Sequence, residues 1–150
     1  ITYTLPSNQW RQISLPCDPG ANNSVSAVFG DDIQGQYGTE WILYKFNTQT
    51  NSYGEALKLT DSVEQGKGYW ITQITGEAVT LKMPPGSTEA AESYPLQLAS
   101  ASGSDSTQWT LSGNPFSSAL KLGDFSLKTE SGICSSSPCD LDMAKTEKLL

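Results

Sequence analysis

The sequence predicts an all-β domain, a sandwich or barrel of short, mainly antiparallel strands with a short C-terminal helix. Three observations carry this expectation. Runs of β-branched and aromatic residues recur at short intervals between turns rich in Gly, Pro and Asn, as in sandwiches and barrels. Several runs alternate apolar and polar residues, the period of a half-buried strand. The composition agrees: 34 of the 150 residues are Ser or Thr, and only 17% are charged, against about 25% in an average soluble domain.

Taken in order, Leu5 to Asn8 reads as a turn. Trp10 to Leu15 reads as a strand ended by Pro16, and Asp18 to Asn23 as loop. Ser24 to Phe29 reads either as strand or as one helical turn, capped by Ser24 and closed by Gly30. Trp41 to Phe46 is a strand, Asn47 to Ser52 a hairpin loop, and Tyr53 the start of the return. A second long strand runs from Gly66 to Ile74, entered through a glycine pair and left through Thr75 and Gly76. Ala78 to Met83 places Val79, Leu81 and Met83 on one face before Pro84 and Pro85 break it. Tyr94 to Leu98 alternates again, a connection low in complexity follows, and Trp109 to Gly113 starts a further strand. Phe125 and Leu127 mark another. Ser137 and Pro138 suit a helix start, with Asp140 to Leu150 helical.

The net charge of −7 argues against nucleic acid and anionic membranes as partners, since both require clustered Lys and Arg. With no His, a Ser-His-Asp triad, a Cys-His pair and His-bearing zinc sites are excluded. No apolar run reaches the length of a membrane span, so no membrane insertion is expected. Cys134 and Cys139 bracket a short polar loop, which reads as a disulfide in an oxidising compartment. Cys17 is then left as a buried thiol or as a link to another chain. The chain starts at Ile1 without Met, as a secreted product does after leader removal or as a trimmed chain does. The expected location is extracellular or at the cell surface.

The sequence resembles itself. Gln9-Trp10-x5-Pro16 matches Gln108-Trp109-x5-Pro115, and Ala27 to Asp31 matches Leu120 to Asp124 in the same order. The expected organisation is a single β domain, read as two pseudo-repeats. Residues 1–86 form a complete unit, and residues 94–150 form one that lacks counterparts of the Trp41 and Trp70 strands. The motif order W-x5-P, VFGD, W-x-x-Y, GKGYW is similar to a repeat module of bacterial secreted and cell-surface proteins. The similarity covers Trp10 to Val79 well and Trp109 to Asp124 weakly. The resemblance implies a non-catalytic extracellular module for adhesion, display or assembly, with neighbouring domains of a larger chain as partners. It supplies no ligand and no catalytic residues.

The densest aromatic set is Trp41, Tyr44, Phe46, Tyr53, Tyr69 and Trp70. On a strand, Trp41 and Leu43 face one way, while Ile42, Tyr44 and Phe46 face the other. Either these aromatics all fill a β core, or one side fills the core and the other offers a platform for a polysaccharide or another surface protein. Trp10 and Trp109, matched by the repeat, are expected in the core. Gly66-Lys67-Gly68 reads as a bulge or tight turn, because a phosphate loop would lead into a helix. Asp31, Asp32, Glu40, Asp61, Glu64, Glu77, Asp140 and Asp142 offer carboxylates. A pair of them would suit a hydrolase. Asp31 with Asp32, or Asp140 with Asp142, would suit calcium, although EF-hand spacing is absent. No other cofactor is expected.

Overall fold

The two longest strand-forming runs, Trp41 to Asn47 and Gly68 to Gln73, pair antiparallel and organise the rest of the chain. The computed structural model describes residues 2–98, 109–125, 127–129 and 132–134. These contain β1 (Thr2–Leu5), β2 (Arg11–Ser14), β3 (Cys17–Asp18), α1 (Val25–Phe29), β4 (Trp41–Asn47) and β5 (Ser52–Tyr53). They continue with β6 (Gly68–Gln73), β7 (Val79–Lys82), β8 (Thr88–Glu89), β9 (Leu127–Thr129) and β10 (Gly132–Cys134). The protein is all-β, and each pair among these strands is antiparallel. One four-stranded sheet has the order β2-β6-β4-β5. Three two-stranded ribbons pair β1 with β7, β3 with β8, and β9 with β10.

Register assigns the faces of the main sheet. Leu43 lies opposite Ile71, Trp41 opposite Gln73, and Ile13 opposite Tyr69. These side chains point inward, and Trp41, Leu43, Tyr69 and Ile71 are buried. Helix α1 covers them with Val25, Val28 and Phe29, while Leu5 of β1 and Leu81 of β7 close the same cluster. Each such side chain contributes about 1.5–3 kcal/mol on burial. The helix starts because the Ser24 hydroxyl accepts from the Ala27 N–H at 3.1 Å, and it stops at Gly30, whose N–H donates to Ser26 O. The β4–β5 turn is held by Asn47, whose Oδ1 accepts from the N–H groups of Gln49 and Thr50 at 2.9 and 3.2 Å.

Buried polar groups tie these elements together. The fully buried Gln73 amide donates to Leu5 O and Glu77 O, and its Oε1 accepts from both the N–H and the hydroxyl of Thr75. Gln65 donates to Pro16 O at 3.2 Å and to Pro115 O at 2.7 Å. That second bond fastens the segment around Pro115 to the first repeat.

The chain divides into two compact units, Ile1–Ser118 and Ala119–Leu150. The described core belongs to the first. Residues 94–118, which the repeat places with 94–150, therefore lie in the first compact unit. In the second unit, the Lys121 N–H donates to Asp124 Oδ2 at 2.7 Å around the turn Leu122–Asp124, and β9 and β10 form a hairpin. Cys134 ends β10, whereas Cys139, Asp140, Asp142 and the predicted helix from Asp140 to Leu150 lie outside the described residues.

Two expected strands require correction. Tyr94 to Leu98 and Trp109 to Gly113 form no strand, and only Ser112 makes an isolated bridge, to Lys67. Both segments instead cover the entrance to β6. The Gly68 N–H donates to Leu111 O, the Gly113 N–H donates to Gly66 O, and the Tyr94 hydroxyl donates to Gln65 O. The glycine pair explains this packing. A Cβ on Gly68 would lie 2.6 Å from Leu111 Cγ, and one on Gly66 would lie 2.6 Å from Leu96 Cδ2. Gly66 also has φ +72°, so it makes the tight turn that its neighbours require.

Candidate functional site, an aromatic sheet face

The alternation that buries Trp41 and Leu43 sends Ile42, Tyr44 and Phe46 to the outer face of the sheet. Cross-strand register adds Gln12 and Trp70 beside Tyr44, Thr72 beside Ile42, and Tyr53 beside Phe46. Trp10, just before β2, leans onto this group, its ring centroid 5.9 Å from that of Tyr44 at an interplanar angle of 58°. Phe46 and Tyr53 meet edge to face at 5.1 Å and 71°. The Trp70 indole N–H donates to the Tyr53 hydroxyl at 2.7 Å. That bond connects β6 to β5 across the intervening β4. It leaves the Tyr53 O–H hydrogen directed away from Trp70. The Thr72 hydroxyl donates to Gln9 O at 3.1 Å, anchoring the approach to β2.

Five aromatic side chains thus share one surface. Trp10 is 50% exposed and Tyr53 47%, while Tyr44, Phe46 and Trp70 are half-buried. None belongs to the buried core. The structure separates the sequence-derived set. Tyr44, Phe46, Tyr53 and Trp70 come together outside. Trp41 and Tyr69 are 3% and 0% exposed on the inner face and leave the platform, because their parity in register is that of Leu43 and Ile71. Trp41 packs edge to face on Tyr37, and the Tyr69 hydroxyl accepts from the Glu64 N–H at 2.8 Å. Burial pushes the Tyr69 phenol up to about 12.

Trp10 joins the platform against expectation. It was expected in the core, yet it stands half-exposed on the platform. Ile13 and Leu15 set the inward parity of β2, so Trp10 falls on the outward one. Trp109, also expected in the core, is 41% exposed.

Several of the carboxylates hold the chain locally, while Asp31 and Glu77 are exposed. Asp61 accepts from the Lys58 N–H, Glu40 from the Gln36 N–H, and Asp18 from the Gly20 N–H, each closing a turn. Glu64 pairs with Lys45 at 3.3 Å. Asp32 accepts from the Lys82 N–H at 2.5 Å, fixing the loop after α1 to β7, whereas its neighbour Asp31 is exposed. Among the described residues no group of three His, Cys, Asp or Glu side chains could hold a metal ion. A groove of about 320 Å³ lies along β2, lined by Gln12, Ile13, Ser14, Leu15, Met83 and Phe116 among others. Its described lining contains no carboxylate. Cys17 is a free, buried thiol, and burial, then the Glu89 charge, raises its pKa.

Family models, curated proteins and solved structures all return no match to this chain.

Proposed function

We propose that the chain is a non-catalytic extracellular β module whose outer sheet face binds carbohydrate. One observation carries the reading. Trp10, Tyr44, Phe46, Tyr53 and Trp70 share one half-exposed face, outside the core that the same sheet builds on its other side. Clustered exposed apolar surface marks interaction sites. Sugar rings present apolar C–H faces flanked by hydroxyls, which suits aromatic rings interleaved with polar groups. Here Gln12, Thr72 and the Tyr53 hydroxyl supply those groups. The Trp70–Tyr53 bond holds two rings in place before any ligand arrives, which lowers the ordering cost of binding.

The extracellular part of the reading rests on the Ser/Thr-rich, charge-poor composition and on the resemblance to bacterial surface-protein repeats. In such a setting the module would attach or display a larger chain on a polysaccharide. The carboxylate-hydrolase reading gains no comparable support, because Asp18, Glu40 and Asp61 brace turns and Glu64 is held in an ion pair.

The test is a screen of the purified chain against a glycan array and insoluble polysaccharides, followed by tryptophan fluorescence titration of each hit. Saturable binding is expected. Tyr44→Ala and Trp70→Ala should each weaken it by tenfold or more, about 1.4 kcal/mol per tenfold. Phe125→Ala, which removes an exposed ring in the other compact unit, should leave it unchanged. Silence across the panel, or binding indifferent to both variants while they remain folded, overturns the proposal.

A further inference from the structure

We infer that the ligand of this face is an uncharged glycan taken as a single chain, not a uronate-bearing, sulfated or amino polysaccharide and not a flat crystalline surface. The inference rests on the carbohydrate reading above and adds the chemical class of the ligand.

The charge pattern of the sheet carries the first half. β2, β4, β5 and β6 contain no Asp or Glu, and their only cations are Arg11 and Lys45. Both have inward parity along their strands, although Arg11 is exposed at the sheet edge, where its guanidinium donates to Gln9 Oε1. Arg11 lies opposite Ile71, and Lys45 lies opposite Tyr69 and pairs with Glu64 at 3.3 Å. The outer face therefore consists of Gln12, Ile42, Tyr44, Phe46, Tyr53, Trp70 and Thr72, with Trp10 beside them, while Ser14 and Gly68 of the same parity lie under the segment from Leu111 to Asn114. An anionic chain would find no ammonium or guanidinium among the aromatic rings, the Arg11 guanidinium at the β2 edge being bonded to Gln9 Oε1, and it would meet a molecule of net charge −7. A cationic chain would be drawn to the molecule as a whole but would find no carboxylate on this face. Specific recognition through neutral hydroxyls and C–H faces is what the surface offers.

Ring geometry carries the second half. Trp10 and Tyr44 are tilted by 58°, and Phe46 and Tyr53 by 71°. At most one ring of each pair can lie flat against a common plane. A crystalline surface presents one plane, so it would leave the second ring of each pair without a stacking partner. A single flexible chain can turn successive sugars toward differently inclined rings.

The full chain is titrated with soluble neutral glucan, xylan and mannan, with polygalacturonate, with a sulfated polysaccharide and with chitosan. Each titration is run at low salt and at about 0.5 M NaCl, where charges more than a few ångströms apart are screened. Pull-down on microcrystalline cellulose is added. The expected result is binding to at least one neutral soluble polymer, with Kd changing less than about twofold between the two salts. Tyr44→Ala should weaken that binding. Chitosan should bind in a salt-sensitive way that is indifferent to Tyr44→Ala. Tyr44-dependent binding confined to an anionic polymer, to chitosan or to the crystalline surface overturns this inference and leaves the carbohydrate reading standing. Silence toward every polymer, or a concentration-dependent dimer abolished by Tyr44→Ala, removes that reading and this inference together.

Discussion

Tyr69 shows how one residue couples packing to pH. Its ring is fully buried on the inner face, and its hydroxyl accepts from the Glu64 N–H. Burial raises its pKa from 10 to about 12, the charge of Glu64 raising it further against the opposing pull of that hydrogen bond. Below pH 10 both the folded and unfolded states hold the phenol proton, so the tyrosine introduces no pH dependence. Between about pH 10 and 12 the unfolded chain loses that proton first, and stability falls as pH rises. A shift of this size corresponds to about 2–3 kcal/mol. Urea denaturation midpoints measured from pH 8 to 12 should therefore decline for the native sequence. Tyr69→Phe should start less stable, having lost the bond to Glu64, and should decline less steeply. Parallel declines would show that other groups govern the alkaline limit. The same residue scale shows what the sequence revealed about the platform. In Trp10-Arg11-Gln12-Ile13-Ser14-Leu15, Ile13 and Leu15 fix the inward parity, so the outward position of Trp10 was legible but was outweighed by the repeat. In Trp41 to Phe46 both parities are apolar, and no alternation decides between them. Only the partner strand does, through Tyr69 and Ile71 on one side and Trp70 and Thr72 on the other.

At the scale of elements, strands with strong local signals were readable: β2, β6 and β7 lie within the predicted runs, β4 runs one residue past its predicted end, to Asn47, and Ser24 and Gly30 bound α1. The short strands β1, β3 and β8 were not. Their residues form strands because tertiary partners supply the ladder, as when Cys17 pairs with Glu89, and two residues hold too little pattern to announce this. Tyr94 to Leu98 failed in the opposite direction, since its alternation serves a covering segment. The glycine pair is where the covering segment and sheet meet. Gly68→Ala should destabilise the protein by about 1–3 kcal/mol, because the new methyl must displace Leu111. Leu111→Ala in the same chain should recover part of that loss, a coupling that a double-mutant cycle measures. Gly54→Ala, which meets nothing within 4 Å, provides the reference. Additive effects of Gly68→Ala and Leu111→Ala would mean that their contact does not limit the packing of this segment.

At the scale of the whole molecule, the repeat and the compact units divide the chain differently, and the difference has a physical origin. The repeat follows sequence likeness, and it begins its second unit ahead of Trp109. The compact units follow contacts, and the segment from Leu111 to Pro115 contacts the first repeat through Gly66, Gly68, Ser14 and Gln65. Likeness to Trp10–Pro16 therefore did not give Trp109–Pro115 the same role. One copy pairs along β6, and the other closes over the entrance to that strand. The described core, the aromatic face and the covering segment all lie within Ile1–Ser118. A chain ending at Ser118 should fold, keep its melting temperature within about 4 °C of the full chain, and bind the same neutral glycan with unchanged affinity. A chain ending at Thr107 removes Leu111 and the Pro115 carbonyl that holds Gln65. It should melt well below the full chain, since the Gln65 amide loses its 2.7 Å acceptor and Gly68 loses its cover. Calorimetry of the three chains separates these expectations. Equal melting temperatures for the chains ending at Thr107 and Ser118 would mean that the covering segment adds nothing to the core. A large loss already at Ser118 would mean that residues beyond it help to stabilise that core.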